Sequence, residues 1–185
     1  MSRDNCVAVF CAASDSVSQL YFDAAREVGA MLGRIGVSLV YGGTCMGLME
    51  ATAKSAKDAG ARIVGVVPDI IVKRNRVSTL LDEQIPCTNL SDRKDIMLEK
   101  SDILVALPGG VGTLDEIFHV VASAKIGYHS KRVVLYNVNG FWDGLSAVLH
   151  QFSESGFLRG NIEACLVVAN SIGELEYFVK EAVNE

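Results

Sequence analysis

The sequence has no apolar run as long as the roughly 18 residues that a membrane-spanning helix requires, so no membrane partner is predicted. Its five cysteines are odd in number and include no Cys-x-x-Cys pair, which argues against a disulfide framework and a zinc site. The histidines, His119, His129 and His150, lack metal-ligand spacing, and we expect no metal. A net charge of −5 argues against a general nucleic-acid binder.

The N-terminal stretch also lacks the features of a secretory signal. MSRDNCVAVFCAAS has one arginine, an early aspartate and only a short apolar segment, which predicts the start of a strand. Unpaired cysteines are typical of a reducing compartment, so we expect a cytoplasmic protein. Half of the 185 residues are apolar, enough for a sizeable core. We expect a single domain over residues 1–185.

What the sequence does have is a regular alternation of apolar runs and amphipathic segments. Apolar runs predict strands at 6–11, 37–41, 61–67, 102–107, 132–137 and 165–169. Apolar residues at helical spacing predict helices at 19–34, 46–59, 114–127 and 141–154, with others opening at Ser91 and Ser171. Residues 69–90 are predicted to form an ordered loop with a short strand near 84–88. The alternation implies an α/β fold with a doubly wound, Rossmann-like parallel sheet.

Such sheets bind ligands at the carboxyl ends of their strands, so the turns there are the candidate sites. In the first turn, CAASDS (11–16), the residues Ser14, Asp15 and Ser16 have two interpretations. They cap the next helix, which the sequence slightly favours, or Ser14 faces a phosphate. The second turn, YGGTCMGLME (41–50), has a glycine pair that lets the backbone approach an anion. It matches neither G-x-G-x-x-G nor Walker A, so a dinucleotide fingerprint is weakly supported.

The third turn, LPGGVGTLDEIF (107–118), is the most informative. Pro108 ends the strand, and three glycines leave the backbone amides unobstructed. Thr113 is the predicted N-cap of the next helix, whose dipole points into the turn, and the result is a phosphate cradle. Glu116 has two interpretations. It forms a capping box with the Thr113 amide, or its carboxylate lies beside the bound ligand.

Two cations lie near the start of the preceding helix in SDRKDIM (91–97). Arg93 and Lys94 stand where positive charge opposes the helix dipole. This placement suggests an anionic partner. Salt bridges to Asp92 or Asp95 are the alternative, and the sequence leaves both open.

Together, these motifs resemble those of the LONELY GUY proteins, the cytokinin riboside 5′-monophosphate phosphoribohydrolases. DRKDIM followed by LPGGVGTLDE matches the family's Arg-Lys-x-x-Met and Pro-Gly-Gly-x-Gly-Thr-x-x-Glu pair. The resemblance runs from about Val7 to Val148 and includes VFCAAS, VYGGTCMGLM, GYHSK and NVNGFWDGL. It implies a Rossmann-like homodimer that hydrolyses a nucleoside 5′-monophosphate to free base and ribose 5-phosphate. It implies no cofactor.

The resemblance also implies which residues form the site. Arg93 and Glu116 match the catalytic residues. The implied substrate-binding residues besides these two are Ser14, Gly43, Lys94, Gly110, Val111, Gly112, Thr113, Leu114 and Asp115. In an oxocarbenium-like transition state, Glu116 would stabilise the cation or orient water, and Arg93 would hold a phosphate or ribose oxygen.

Several residues depart from the family pattern, namely Ala12, Ala13, Thr44, Glu50, His119, Ala122 and Ser123. They leave the preference between prenylated and plain adenine open. A second class of function is a non-catalytic carrier of a nucleotide or of molybdenum cofactor, which related folds bind through a similar glycine turn. The presence of Arg93 together with Glu116 favours hydrolysis. Family members were long labelled possible lysine decarboxylases, but neither Lys94 nor Lys125 lies in a pattern typical of pyridoxal phosphate enzymes.

Overall fold

The computed structural model describes residues 4–158 and 160–184. Residues 1–3, 159 and 185 of the predicted domain lie outside the described residues. The strands are β1 (Cys6–Phe10), β2 (Ser38–Tyr41), β3 (Ile63–Pro68), β4 (Glu83–Cys87), β5 (Ile103–Ala106), β6 (Val133–Tyr136) and β7 (Leu166–Ala169). The helices are α1 (Gln19–Arg34), α2 (Gly47–Asp58), α3 (Asp69–Lys73), α4 (Leu90–Lys100), α5 (Val111–Lys125), α6 (Asp143–Glu154) and α7 (Ile172–Val183). Among the described residues, no helix combines the length and apolar content that crossing a membrane requires.

The seven strands form one parallel sheet in the order β4-β3-β2-β1-β5-β6-β7. The chain builds the sheet outward from β1 to β4, then crosses back to β5 and continues to β7. β1 and β5 are therefore neighbours whose connections leave in opposite directions, which is the position where α/β sheets bind ligands. The predicted doubly wound, Rossmann-like fold is confirmed.

The central strand β1 shows why helices cover both faces. Val7 and Val9 lie in the core formed with α1, α2 and α7, whereas Ala8 and Phe10 lie in the core formed with α4, α5 and α6. All four side chains are at most 1% exposed. Because alternate side chains of a strand point to opposite faces, a strand that is apolar at every position is stable only between two layers.

The segment 69–90 is more regular than the predicted loop. It contains the helix α3 and the edge strand β4, which begins one residue before the predicted strand. α3 has only five residues, too few to establish a helical period in the sequence. β4 contains Pro86, which is tolerated because β4 lies at the edge of the sheet and pairs with β3 there.

α4 begins at Leu90, one residue before the predicted Ser91, because Asn89 caps it. The Oδ1 atom of Asn89 accepts hydrogen bonds from the amides of Ser91, at 2.9 Å, and Asp92, at 3.0 Å. These bonds satisfy two of the amides that the first helical turn leaves without partners. The cap therefore fixes the turn of α4 that carries Arg93.

Replacing Asn89 by alanine removes both bonds and should lower the free energy of unfolding by about 1 kcal/mol. Asn89→Ser keeps a capping oxygen and should remain close to the wild type. Chemical denaturation measures both variants. An alanine variant as stable as the wild type would contradict the role given to this cap.

Candidate active site

Three turns meet at the carboxyl edge of the sheet, between β1 and β5. The Leu107 amide donates to the Phe10 carbonyl at 2.9 Å, and the Ala12 amide donates to the Pro108 carbonyl at 3.2 Å. The start of α2 joins them, because the Leu48 amide donates to the Ala12 carbonyl at 3.0 Å. The turns selected from the sequence therefore form one continuous surface.

The predicted capping role of Ser14, Asp15 and Ser16 is wrong. Ser18 occupies the N-cap position of α1, with no side-chain cap. The Ser14 Oγ accepts a hydrogen bond from the Ser16 amide at 3.2 Å, and the Asp15 Oδ1 accepts one from the Gly47 amide at 2.9 Å. Asp15 thus ties the first turn to the start of α2, while Ser14 is exposed beside it.

α5 begins three residues before the predicted position, with Gly110 instead of Thr113 at its N-cap, so the prediction for Thr113 is wrong. Thr113 lies inside the first turn and packs on Gly109, where a Cβ would come within 2.7 Å of the Thr113 Cβ. The absent side chain therefore lets the helix extend further toward β5. A Cβ at position 110 or 112 would meet nothing within 4 Å, and no side chain caps the first amides of the helix.

Glu116 does not form the predicted alternative, a capping box. Its Oε1 lies 3.2 Å from Nη2 of Arg93, and the two side chains are 9% and 13% exposed, respectively. A buried ion pair therefore links the first turn of α4 to the second turn of α5. The carboxylate is turned toward α4 instead of back toward the Thr113 amide.

Lys94 makes a second link between these helices. Its Nζ lies 2.7 and 2.8 Å from the two carboxylate oxygens of Asp115. Arg93 and Lys94 thus both pair with acids of α5, and the alternative of pairing with Asp92 or Asp95 is wrong. Asp92 and Asp95 are only one or two residues from these cations, a spacing at which side chains of a helix do not face each other. The packing of α4 beside α5 supplies partners across the interface instead.

Burial raises the pKa of Glu116 to about 7, because its carboxylate has lost most of its contact with water. Arg93 acts in the opposite direction, Asp115 raises this pKa further, and Lys94 lowers it. Cys11 follows β1 directly, and its thiol pKa is raised first by burial and then by the charge of Glu116. A carboxyl group that ionises near neutral pH beside a guanidinium is suited to general-base chemistry or to stabilising a cation.

Arg93 also has a free donor. Within the described residues, its Nε–H is buried and has no hydrogen-bond acceptor. Leaving a buried donor unsatisfied costs about 1–3 kcal/mol. An oxygen of a bound ligand placed there would remove this cost.

The remaining predicted residues fall into two groups. Near the ion pair lie the first residues of α5, of which Val111 and Asp115 are exposed and Leu114 is half-buried. Gly43 instead supports the second turn: it has a φ of +67°, and its carbonyl accepts a hydrogen bond from the Ser78 amide at 2.8 Å. Within the described part of the chain, no three His, Cys, Asp or Glu side chains are grouped closely enough to hold a metal ion.

Sequence reasoning missed three contributions: the tie made by Asp15, the proximity of Cys11 to Glu116, and the packing of Arg93 on Gly42. Asp15 and Gly47 lie far apart in the chain, as do Cys11 and Glu116, so no local pattern encodes these two relations. The pair Gly42-Gly43 is visible in the sequence, but its pattern predicts only a backbone that can approach an anion.

The raised pKa of Glu116 predicts a pH dependence of stability. The unfolded chain releases this proton near the ordinary value of 4.5 and the folded chain near 7, so the unfolded state binds fewer protons between these values. The free energy of unfolding of the wild type should therefore fall with rising pH across this window relative to Glu116→Gln, by up to about 3 kcal/mol. Denaturant titrations of both proteins from pH 4 to 8 measure the difference. A difference that does not change with pH would contradict the buried carboxyl.

Solved structures of similar fold include the molybdenum cofactor carrier protein of Chlamydomonas reinhardtii, with a TM-score of 0.74, 24% identity and coverage of 99% of this chain and 100% of that one. The molybdenum cofactor binding protein of Rippkaea orientalis has a TM-score of 0.73, 21% identity and 98% coverage of both chains. At these identities, the likeness concerns the fold alone.

Sequence relatives are closer. A protein of Mycobacterium tuberculosis named cytokinin riboside 5′-monophosphate phosphoribohydrolase is 38% identical over 93% of this chain and 91% of its own length. An Arabidopsis thaliana protein of that name is 34% identical over 91% of this chain and 79% of its own. The family model described as "Possible lysine decarboxylase" matches residues 49–176, which contain both Arg93 and Glu116. The chain therefore belongs to the LONELY GUY family, to which this model corresponds.

Proposed function

We propose that this chain hydrolyses the N-glycosidic bond of a nucleoside 5′-monophosphate, AMP or an N6-substituted AMP, to free base and ribose 5-phosphate. The buried Arg93–Glu116 pair beside the uncapped start of α5 is the observation that carries the proposal. The uncapped amides at the start of α5 and Glu116 are separated by about one helical turn, roughly 5 Å. A ribose 5-phosphate spans a comparable length. Its phosphate could therefore meet the amides while its anomeric carbon lies beside Glu116.

In the proposed reaction the bond between C1′ and the base nitrogen breaks, and its electron pair leaves with the base. Positive charge develops on the ribose, where the Glu116 carboxylate stabilises it or orients the attacking water. The hydroxyl of that water adds to C1′, and its proton balances the charge of the departing base. Arg93 holds a ribose or phosphate oxygen and favours the ionised form of Glu116.

The 5′-phosphate is proposed to bind at the start of α5, where amides and the helix dipole attract an anion. Binding energy from this remote group would position the sugar for cleavage. The proposed substrate contacts besides Arg93 and Glu116 are Ser14, Gly43, Lys94 and residues 110–115. The names of the relatives support the same reaction, since they describe enzymes that act on a riboside 5′-monophosphate.

Two other functions have weaker support. The carriers of molybdenum cofactor share the fold, but a carrier has no need of a buried carboxyl that titrates near neutral pH. A lysine decarboxylase with pyridoxal phosphate requires an uncharged lysine amine for a Schiff base. Lys94 is instead paired with both oxygens of Asp115, and the Lys125 Nζ donates to the Asn161 carbonyl at 3.3 Å.

A homodimer and a cytoplasmic location are also part of the proposal. Val111 and Phe118 of α5 and Ile126, the residue that follows α5, are 84%, 37% and 70% exposed. An apolar stripe of this length suggests a protein partner, and the resemblance implies a second copy of the chain. Among the described residues, Cys11, Cys45, Cys87 and Cys165 form no disulfide, which is typical of a reducing compartment.

The wild type should release adenine or the N6-substituted base, together with ribose 5-phosphate, from the 5′-monophosphates. Nucleosides without phosphate should react far more slowly, because they lose the contact with the start of α5. Glu116→Gln and Arg93→Ala should each abolish release of the base. A chromatographic assay of the free base measures this. The account fails if both variants still release base or if the wild type releases none.

Arg34 and Glu176 provide a matched control, because they form an ion pair of the same residue types, at 2.8 Å between Nη2 and Oε2, away from the site. Arg34→Ala and Glu176→Gln should keep wild-type turnover. Far-UV circular dichroism should show that all four variants are folded.

The double variant Phe118→Asp/Ile126→Asp should convert the dimer into a monomer, because it places charge in the apolar stripe. Sedimentation equilibrium measures the mass, and the wild type should show twice the chain mass. Tyr177→Asp, which changes an exposed aromatic residue on α7 across the sheet, should remain dimeric. A monomeric wild type, or a dimeric double variant, would contradict the proposed interface.

A further inference from the structure

Gly42, the first residue after β2, packs directly on the guanidinium of Arg93. A Cβ built at this position would lie 2.9 Å from the Cζ of Arg93 and closer still to its Nη2, and 3.3 Å from the Sδ of Met49. The φ of Gly42 lies outside the left-handed region, so its backbone would accept an alanine. The obstacle to any side chain here is therefore the guanidinium itself.

The same nitrogen of Arg93 makes both contacts. Nη2 stands where a Cβ of residue 42 would be, and it lies 3.2 Å from Oε1 of Glu116. The Arg93 side chain is only 13% exposed, so protein atoms enclose most of it. A methyl group at position 42 would push the guanidinium out of the position in which it meets Glu116.

We infer that Gly42 is a positioning residue: it is glycine so that the Arg93 guanidinium can lie between the end of β2 and Glu116. The catalytic consequence of this inference rests on the proposed function, whereas the packing of Arg93 on Gly42 is independent of it. The role of Gly42 therefore differs from the one that the sequence suggested, which was to let the backbone approach an anion.

Displacing the guanidinium should change how Glu116 titrates. The charged and titratable groups that face Glu116 are Arg93 and Lys94 of α4, Asp115 of α5 and Cys11 after β1. Arg93 is the largest of the influences that lower its pKa. With Arg93 displaced, the carboxyl should stay protonated to higher pH, and the pH at which kcat/KM rises should move upward.

A double-mutant cycle on stability tests the packing without any assay of activity. Gly42→Ala should lower Tm by about 3–10 °C in the wild type, because it overpacks a buried contact. In the Arg93→Ala background the same substitution should cost much less. Equal losses in both backgrounds would overturn the inference. If Gly42→Ala does not fold, Gly42→Ala/Arg93→Ala must fold, and a double variant that also fails to fold would overturn it.

The pH profile of kcat/KM for AMP hydrolysis tests the catalytic consequence. Gly42→Ala should lower kcat/KM by about 10- to 100-fold and move its rise to higher pH. Gly144→Ala in α6, where a Cβ meets nothing within 4 Å, is the matched control and should keep the wild-type profile. The positioning role would be overturned if the stability cycle showed coupling between positions 42 and 93 while Gly42→Ala left the pH profile of kcat/KM unchanged. If the wild type releases no base, the proposed function fails, whereas the cycle still decides the packing.

Discussion

The ion pair between Arg93 and Glu116 is the interaction on which the arrangement of the site depends. Each charge would be unfavourable alone, because Glu116 is buried and Arg93 lies near the positive end of a helix dipole. The sheet order places α4 and α5 so that the two charges compensate each other. Buried pairs of this kind contribute little net stability compared with apolar residues. A buried ion pair between β1 and β5, where the chain connections leave in opposite directions, is therefore better explained by binding and chemistry than by folding.

The glycines around this pair serve different physical purposes, although they form one recognisable pattern. Gly42 makes room for the guanidinium and Gly109 for Thr113, whereas positions 110 and 112 face open space. The first two glycines allow protein groups to pack closely. The other two leave backbone amides open to a ligand. Substitutions at Gly42 and Gly109 are thus expected to disturb packing, whereas those at positions 110 and 112 are expected to obstruct a ligand. The sequence motif alone does not distinguish these effects.

The sequence predicts the fold well, because continuous apolar runs alternating with helical periods permit few architectures, and β1 illustrates the pattern. It also singles out Arg93 and Glu116. The errors concern local hydrogen bonds with competing partners. Thr113-x-x-Glu116 satisfies the pattern of a capping box, yet the carboxylate pairs with Arg93 across the helix interface. Asp15 satisfies the pattern of a cap, yet it binds the distant Gly47 amide. Local spacing is the same for both outcomes, and only tertiary packing decides between them.

The central claim is that one surface holds the phosphate on the start of α5 and the sugar beside Arg93 and Glu116. A crystal structure of the Glu116→Gln variant with AMP tests it most directly. The account predicts the 5′-phosphate on the amides of residues 110–113 and C1′ next to the side chain of residue 116, with a ligand oxygen at Nε of Arg93. AMP bound elsewhere, or bound with its base and phosphate exchanged, would contradict it.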